Sequence, residues 1–175
     1  ERALRTTDGA GRAARVDIAV RAAALALIEH GRRVRLVACD VDGEVELVAD
    51  GDAALPEPWR GARERWWLPA GVPVEALAAD ARRVAAPCPA LVQLGIDEAG
   101  RDVFVDLEAL EALEVGGSGA QADAIVAAIA TTLAASALAE LTPLVSVAVP
   151  DEAFLGHRHH LPADDVRAAF DQAHR

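Results

Sequence analysis

Near the start of the chain, apolar residues recur at helical spacing. Over residues 12–30 they follow steps of three and four positions, which predicts an amphipathic helix that Gly31 ends. Residues 1–11 are polar and contain glycine, and we predict a flexible lead-in there. The runs VRLVACD and EVELVAD flank Asp42-Gly43, and alternating runs around Asp-Gly predict a β-hairpin.

The middle of the chain is rich in Pro, Gly and Trp. Residues 50–62 predict a loop, the run WWLP a short strand, and residues 73–84 a helix. Two prolines follow, at positions 87 and 89, and they divide the chain into predicted units 1–86 and 87–175. The first residue is Glu1 rather than methionine, so we expect one compact unit cut from a longer protein.

The second unit begins with another hairpin pattern, ALVQLGIDEAGRDVFVDL. The pattern then predicts a strand at 113–115, a glycine loop at 116–119, a helix at 120–137, a strand at 144–149 and a helix at 163–174. Because strand–helix–strand crossovers join parallel strands, we predict that strands 113–115 and 144–149 are parallel neighbours. The predicted fold class is α/β: a mixed sheet with β-hairpins and a strand–Gly loop–helix–strand unit.

Composition narrows the chemistry. The 175 residues carry a net charge of −11, include 41 Ala, and contain no Lys, since all 17 basic residues are Arg. The missing lysine excludes Schiff-base catalysis and a complete P-loop. The acidic charge argues against a nucleic-acid partner for this segment. No apolar run reaches the roughly 18 residues of a membrane span, so any membrane contact is expected through other parts of a longer protein.

The glycine loop is the first candidate site. Gly116, Gly117, Ser118 and Gly119 precede a predicted helix, where backbone N–H groups can hold an anion or nucleotide weakly. A working P-loop also needs Lys and Ser or Thr after the last glycine, and this chain has Ala and Gln there. We therefore predict no triphosphate hydrolysis.

Two further groups of residues could carry chemistry. His157, His159 and His160 would need a carboxylate ligand to hold a metal, and a solvated loop is the favoured interpretation. Cys39 and Cys88 lie in apolar surroundings and predict buried, unreactive thiols. Without a Ser-His-Asp pattern either, we predict no catalytic residue, no metal and no cofactor.

Three tryptophans, Trp59, Trp66 and Trp67, lie among arginines. They could form a cation–π interaction surface, but we favour burial in the seam between the two units. Successive residues of a strand face opposite sides, so at least one of Trp66 and Trp67 is predicted to be buried.

The second unit resembles the entry to FtsK/EccC-type motor ATPase domains. Those domains have a hairpin of the form L-x-x-G-x-D-x-x-G-x-x-x-x-D-L, followed by a strand and a GxxGxGK[ST] loop. The matching residues are Leu94, Gly95, Asp97, Gly100, Asp106 and Leu107. The lysine and hydroxyl positions do not match, so the resemblance implies a degenerate, P-loop-like core without hydrolysis.

More of the chain resembles the middle region of actinobacterial membrane-anchored proteins that carry LysM and bacterial transcriptional activator (BTAD) modules. The resemblance rests on RAAALALIEHGRRVRLVACDVDGEVELVAD, LPEPWRGARERWWLP and CPALVQLGIDEAGRDVFVDLEAL. It implies a scaffold or regulatory domain on the cytoplasmic side of the membrane. Its partners would be other domains of the same polypeptide or other proteins. The alternatives are an FtsK/EccC-like nucleotide-binding domain and a small-ligand sensing module.

Overall fold

The computed structural model describes residues 2–84, 87–110, 112–136, 143–154 and 157–173. Helices and strands both occur, which confirms the α/β class. The helices are α1 (Arg2–Glu29), α2 (Val74–Ala81), α3 (Leu107–Leu110), α4 (Gly119–Ala135) and α5 (Val166–Ala173), with a 3-10 helix at Asp151–Phe154. The strands are β1 (Val34–Cys39), β2 (Val45–Ala49), β3 (Arg60–Ala62), β4 (Arg65–Leu68), β5 (Leu91–Ile96), β6 (Asp102–Asp106), β7 (Leu144–Val147) and β8 (His160–Ala163).

Strands β1 to β6 form an antiparallel sheet in the order β3-β4-β2-β1-β6-β5. Both predicted hairpins are confirmed, since β1 pairs with β2 and β5 with β6. Their turns use the same chemistry. In each turn, the side chain of an aspartate (Asp40 or Asp97) accepts hydrogen bonds from the backbone N–H groups two and four residues later. A glycine with positive φ follows, at 90° for Gly43 and 81° for Gly100, where other residues would be strained.

The core lies between α1 and one face of this sheet. The predicted apolar stripe of α1 is confirmed for five of its six members, which are at most 1% exposed: Val16, Ala19, Val20, Ala23 and Leu27. The sixth, His30, is exposed just beyond the end of the helix. Val37, Leu47 and Leu68 cover the facing side of the sheet and are fully buried. Burial of each Val or Leu side chain contributes about 1.5–3 kcal/mol before the entropy cost of folding.

α1 begins at Arg2, so the predicted flexible lead-in is wrong for residues 2–11. The helix runs through Gly9 and Gly11, each of which costs about 1 kcal/mol relative to alanine. Once a helix has formed, each added residue gains a backbone hydrogen bond, and this gain offsets the weak helix propensity of glycine.

The predicted parallel arrangement in the second unit is also wrong. Residues 113–115 form no strand, and Leu113 is 41% exposed. The strand predicted at 144–149 is the shorter β7, which pairs in parallel with β8 in a separate two-stranded sheet. β6, the last strand before the glycine loop, cannot serve as the parallel neighbour of β7, because antiparallel partners β1 and β5 occupy both of its sides.

The two-stranded sheet forms a C-terminal lobe with the 3-10 helix and α5. We call this the β7–β8 lobe; α5 packs on both of its strands. Helix α4 contacts the 3-10 helix of this lobe and also strand β5 of the large sheet. α4 therefore links the lobe to the rest of the molecule.

Candidate interaction surface

The glycine loop lies on the surface before α4. Gly116, Gly117, Ser118 and Gly119 are all exposed, and Gly117 has a φ of 133°. Ser118 occupies the N-cap position of α4 without a side-chain capping bond, and its hydroxyl donates to Gln121 Oε1 at 2.9 Å. No strand leads into the loop from residues 112–116, unlike in a P-loop. Weak anion or nucleotide binding here stays a prediction.

The tryptophans lie at one end of the large sheet, and the prediction that they fill the seam is wrong. The two predicted units meet where β1 pairs with β6, whereas Trp66 and Trp67 belong to β4, with β2 and β1 between them and β6. Trp66 faces the core and is 8% exposed, as predicted for one of this pair. Trp67 is half-buried on the opposite face of the sheet.

Trp59 is buried in the core together with Trp66. The indole N–H of Trp66 donates to the backbone oxygen of Arg63 at 3.0 Å. Of the three tryptophans, Trp67 is thus the one that could offer its ring to a partner.

The histidines separate into two groups. The rings of His157 and His159 meet edge to face with centroids 6.4 Å apart. His160 belongs to β8, where its ring stacks on Phe154 at 3.8 Å and its Nε2 lies 2.8 Å from Ser146 Oγ. Among the described residues, no three His, Cys, Asp or Glu side chains are grouped as a metal site would require.

Both cysteines are buried, as predicted. Cys39 is the last residue of β1, and Cys88 lies against Val34, its first residue. Burial raises the pKa of Cys39 to about 11 and that of Cys88 to about 12, so both thiols stay protonated at neutral pH. Asp106, which is 2% exposed, also has a raised pKa because burial disfavours its charged form.

A buried glutamate was missed by the sequence analysis. Glu46 in β2 is 8% exposed on the sheet face opposite α1. Its two oxygens accept hydrogen bonds of 2.7 Å from Arg65 and from Arg101. Arg101 reaches it across β1, where the paired residue Ala38 is small. Only the strand register brings these charges together, so the sequence alone carries no signal for them.

Helix α4 combines an apolar sequence with high exposure. Within its 17 residues, Asp123 is the only charged residue and Ala130 the only buried one. The side chains of Ile125 and Val126 are 46% and 38% exposed. A helix that is apolar on all sides is normally buried, so this one lacks a covering element among the described residues.

Exposed carboxylates lie on the same helix and on the 3-10 helix that contacts it. Asp123 lies on α4, and Asp151 and Glu152 are exposed on the 3-10 helix that contacts α4. No described residue forms an ion pair or hydrogen bond with these three carboxylates. We call the five residues Asp123, Ile125, Val126, Asp151 and Glu152 the α4 surface.

A groove separates the C-terminal half of α4 from α1. Leu91 and Phe104 line it, Thr131 and Ala14 lie on its sides, and its volume is about 570 Å³. Near it, the buried Asp102 accepts hydrogen bonds from Arg12 and, at 3.0 Å, from Gln93. Both carboxylate oxygens of Asp102 therefore have hydrogen-bond partners within the chain.

The described residues include no helix long and apolar enough to cross a membrane. In comparisons with known proteins, no protein-family model, no curated protein and no solved structure matches this chain. The resemblances to FtsK/EccC-type domains and to LysM/BTAD proteins therefore stay predictions that rest on the quoted residues.

Proposed function

We propose that this chain is a non-catalytic interaction domain, of scaffold or regulatory type, that binds another protein through the α4 surface. The observation that carries the proposal is the exposure of α4. Ile125 and Val126 present apolar area to water on a helix with a single charged residue. Contiguous exposed apolar area typically marks a protein interface.

The nucleotide-binding alternative has less support. The glycine loop lacks the P-loop lysine, and no strand leads into it. The exposed Asp123, four residues after Gly119, places a negative charge near the helix start, where a phosphate would need positive potential. A sensing role for a small ligand has no specific observation in its favour.

A site-specific cross-linking experiment tests the interaction proposal. The photoreactive residue p-benzoylphenylalanine replaces Ile125 in one variant and Val41 in a matched control. Val41 lies on the β1–β2 turn and is 73% exposed. In an extract of the source cells, we expect a discrete cross-linked product from position 125 and none from position 41. Adding Val126→Asp should abolish the product. Equal cross-linking from both positions would contradict the proposal.

An activity measurement tests the non-catalytic part. Purified protein is incubated with ATP and Mg²⁺, and phosphate release is followed. We expect no turnover above the buffer control. Turnover that Gly119→Asp abolishes would overturn the proposal in favour of the nucleotide-binding alternative.

A further inference from the structure

The charge of the chain is unevenly distributed. Residues 2–84 carry thirteen Arg against thirteen Asp or Glu. The described residues from 112 to 173, which include α4 and the β7–β8 lobe, carry two Arg against seven Asp or Glu. The apolar helix α4 thus lies in an acidic part of the molecule, whereas residues 2–84 carry no net charge.

From this distribution we infer that the partner of the α4 surface is a basic amphipathic helix of another protein. The inference rests on the proposed interaction role of α4 and specifies the chemistry of its partner. Apolar side chains on one face of that helix would cover Ile125 and Val126. Its Arg or Lys side chains would lie opposite Asp123, Asp151 and Glu152, which have no partner among the described residues.

The same charges disfavour other occupants. A second copy of the chain would bring the carboxylates of one α4 surface against those of the other, and like charges in contact cost binding energy. Anionic lipid headgroups and nucleic-acid phosphates would be repelled for the same reason. Helix α4 also suits a helical partner, since its many alanines allow the axes of two helices to approach closely.

Two labelled peptides test this inference on the full chain. Both have 18 residues with leucine along one helix face; the other face carries lysine in the first peptide and glutamate in the second. We expect the Leu/Lys peptide to bind about tenfold more tightly, or more, in fluorescence anisotropy near physiological salt. The difference should shrink at about 1 M salt, where charges are screened within about 3 Å.

A charge-reversal variant locates the binding. Asp123→Arg, Asp151→Arg and Glu152→Arg together should reverse the preference between the two peptides. The matched control reverses three exposed carboxylates that belong neither to α4 nor to the 3-10 helix, at Asp42, Glu75 and Glu98, and changes the net charge equally. We expect the control to retain the preference for the Leu/Lys peptide. Circular dichroism checks that both variants are folded.

The outcomes separate this inference from the proposed function. Both peptides could bind equally, with Ile125→Asp weakening the binding of both. In that case α4 is an interaction surface whose partner need not be basic, so the inference fails while the proposed function stands. Failure of the Leu/Lys peptide to bind overturns the inference. It is also overturned if the control variant loses the preference as fully as the α4 variant, because net charge then explains the binding.

Discussion

At the scale of single residues, Arg15 shows how one side chain connects distant parts of the chain. Its guanidinium donates to the backbone oxygens of Gly43 in the β1–β2 turn and of Pro69, Ala70 and Val72 in the loop before α2. Charged donors make stronger hydrogen bonds than neutral ones, and the planar fork of arginine can serve several acceptors at once. Arg15 therefore fixes both loops against α1.

We expect Arg15→Ala to lower the free energy of unfolding by about 2–3 kcal/mol, because three partly buried carbonyls and one exposed carbonyl lose a charged donor. Arg15→Lys should recover only part of this loss, since an ammonium group cannot reach all four acceptors. Urea denaturation measures both changes. The control is Arg60→Ala, an exposed arginine on β3. If Arg15→Ala is as stable as the control, the proposed link between the loops does not contribute to stability.

The buried carboxyl of Asp106 predicts a pH dependence. Burial raises its pKa above the ordinary value of 3.8, so the folded protein holds this proton more tightly than the unfolded chain does. The stability contributed by Asp106 is therefore present at pH values below 3.8. It is lost as the pH rises through the raised folded pKa, because the carboxylate must then be charged while buried.

We expect Asp106→Asn to increase the free energy of unfolding at pH 7 and to give little or no increase near pH 3.8, as measured by urea denaturation. The amide keeps an oxygen that can accept the backbone N–H of Glu108. Asp97→Asn is the opposite control. Hydrogen bonds, chiefly from the backbone N–H of Arg101, lower the pKa of Asp97, so Asn should destabilise at pH 7 and less so as the pH falls. Equal responses of the two variants would contradict this assignment.

At the scale of elements, the sequence predicts correctly the structures that depend on neighbouring residues. It does not predict which strands pair when they lie far apart in the chain. The α1 stripe and both hairpins depend on residues close in sequence, such as the Asp and Gly that close each turn. The pairing of Val37 with Phe104 joins β1 to β6 across 67 positions, and nothing in either strand specifies that partner. The sequence predicts β7 as a strand, but for its neighbour β8 it predicts a loop that contains Pro162, followed by a helix from residue 163.

The β3–β4 hairpin supports the next prediction. Trp66 is 8% exposed and faces the core, whereas Trp67 on the opposite face is half-buried. Gly61 pairs with Trp66, and a Cβ at Gly61 would lie 2.2 Å from the backbone oxygen of Arg65, so only glycine fits there. The close approach of β3 to β4 thus helps to fix the strand that carries Trp66.

We expect Trp66→Ala to lower the free energy of unfolding by about 3–5 kcal/mol, the usual cost of emptying a large buried aromatic site. Trp67→Ala, the matched control in the same strand, should cost clearly less because its ring keeps contact with water. Chemical denaturation followed by far-UV circular dichroism compares the two. Equal losses would mean that both faces of β4 are equally important for packing.

At the scale of the whole molecule, the large sheet and the β7–β8 lobe differ in how they are held. The sheet is covered by α1 and has a continuous apolar core. The lobe has a two-stranded sheet, and α4 connects it to β5 through its contact with the 3-10 helix. Two-stranded sheets are marginal on their own, so the lobe should depend on α4 while the large sheet should not.

We therefore expect Ala130→Asp, which places a charge at the buried residue of α4, to release the lobe without unfolding the sheet. Hydrogen exchange should then become fast in β7 and β8 and stay slow in β1, β2 and β6. Ala128→Asp, on the exposed side of the same helix, is the matched control and should change neither. If Ala130→Asp accelerates exchange in β1 and β2 as much as in β7, the lobe and the sheet unfold as one unit.

A released lobe would also separate α4 from the carboxylates of Asp151 and Glu152, so the same variant should weaken binding of the Leu/Lys peptide.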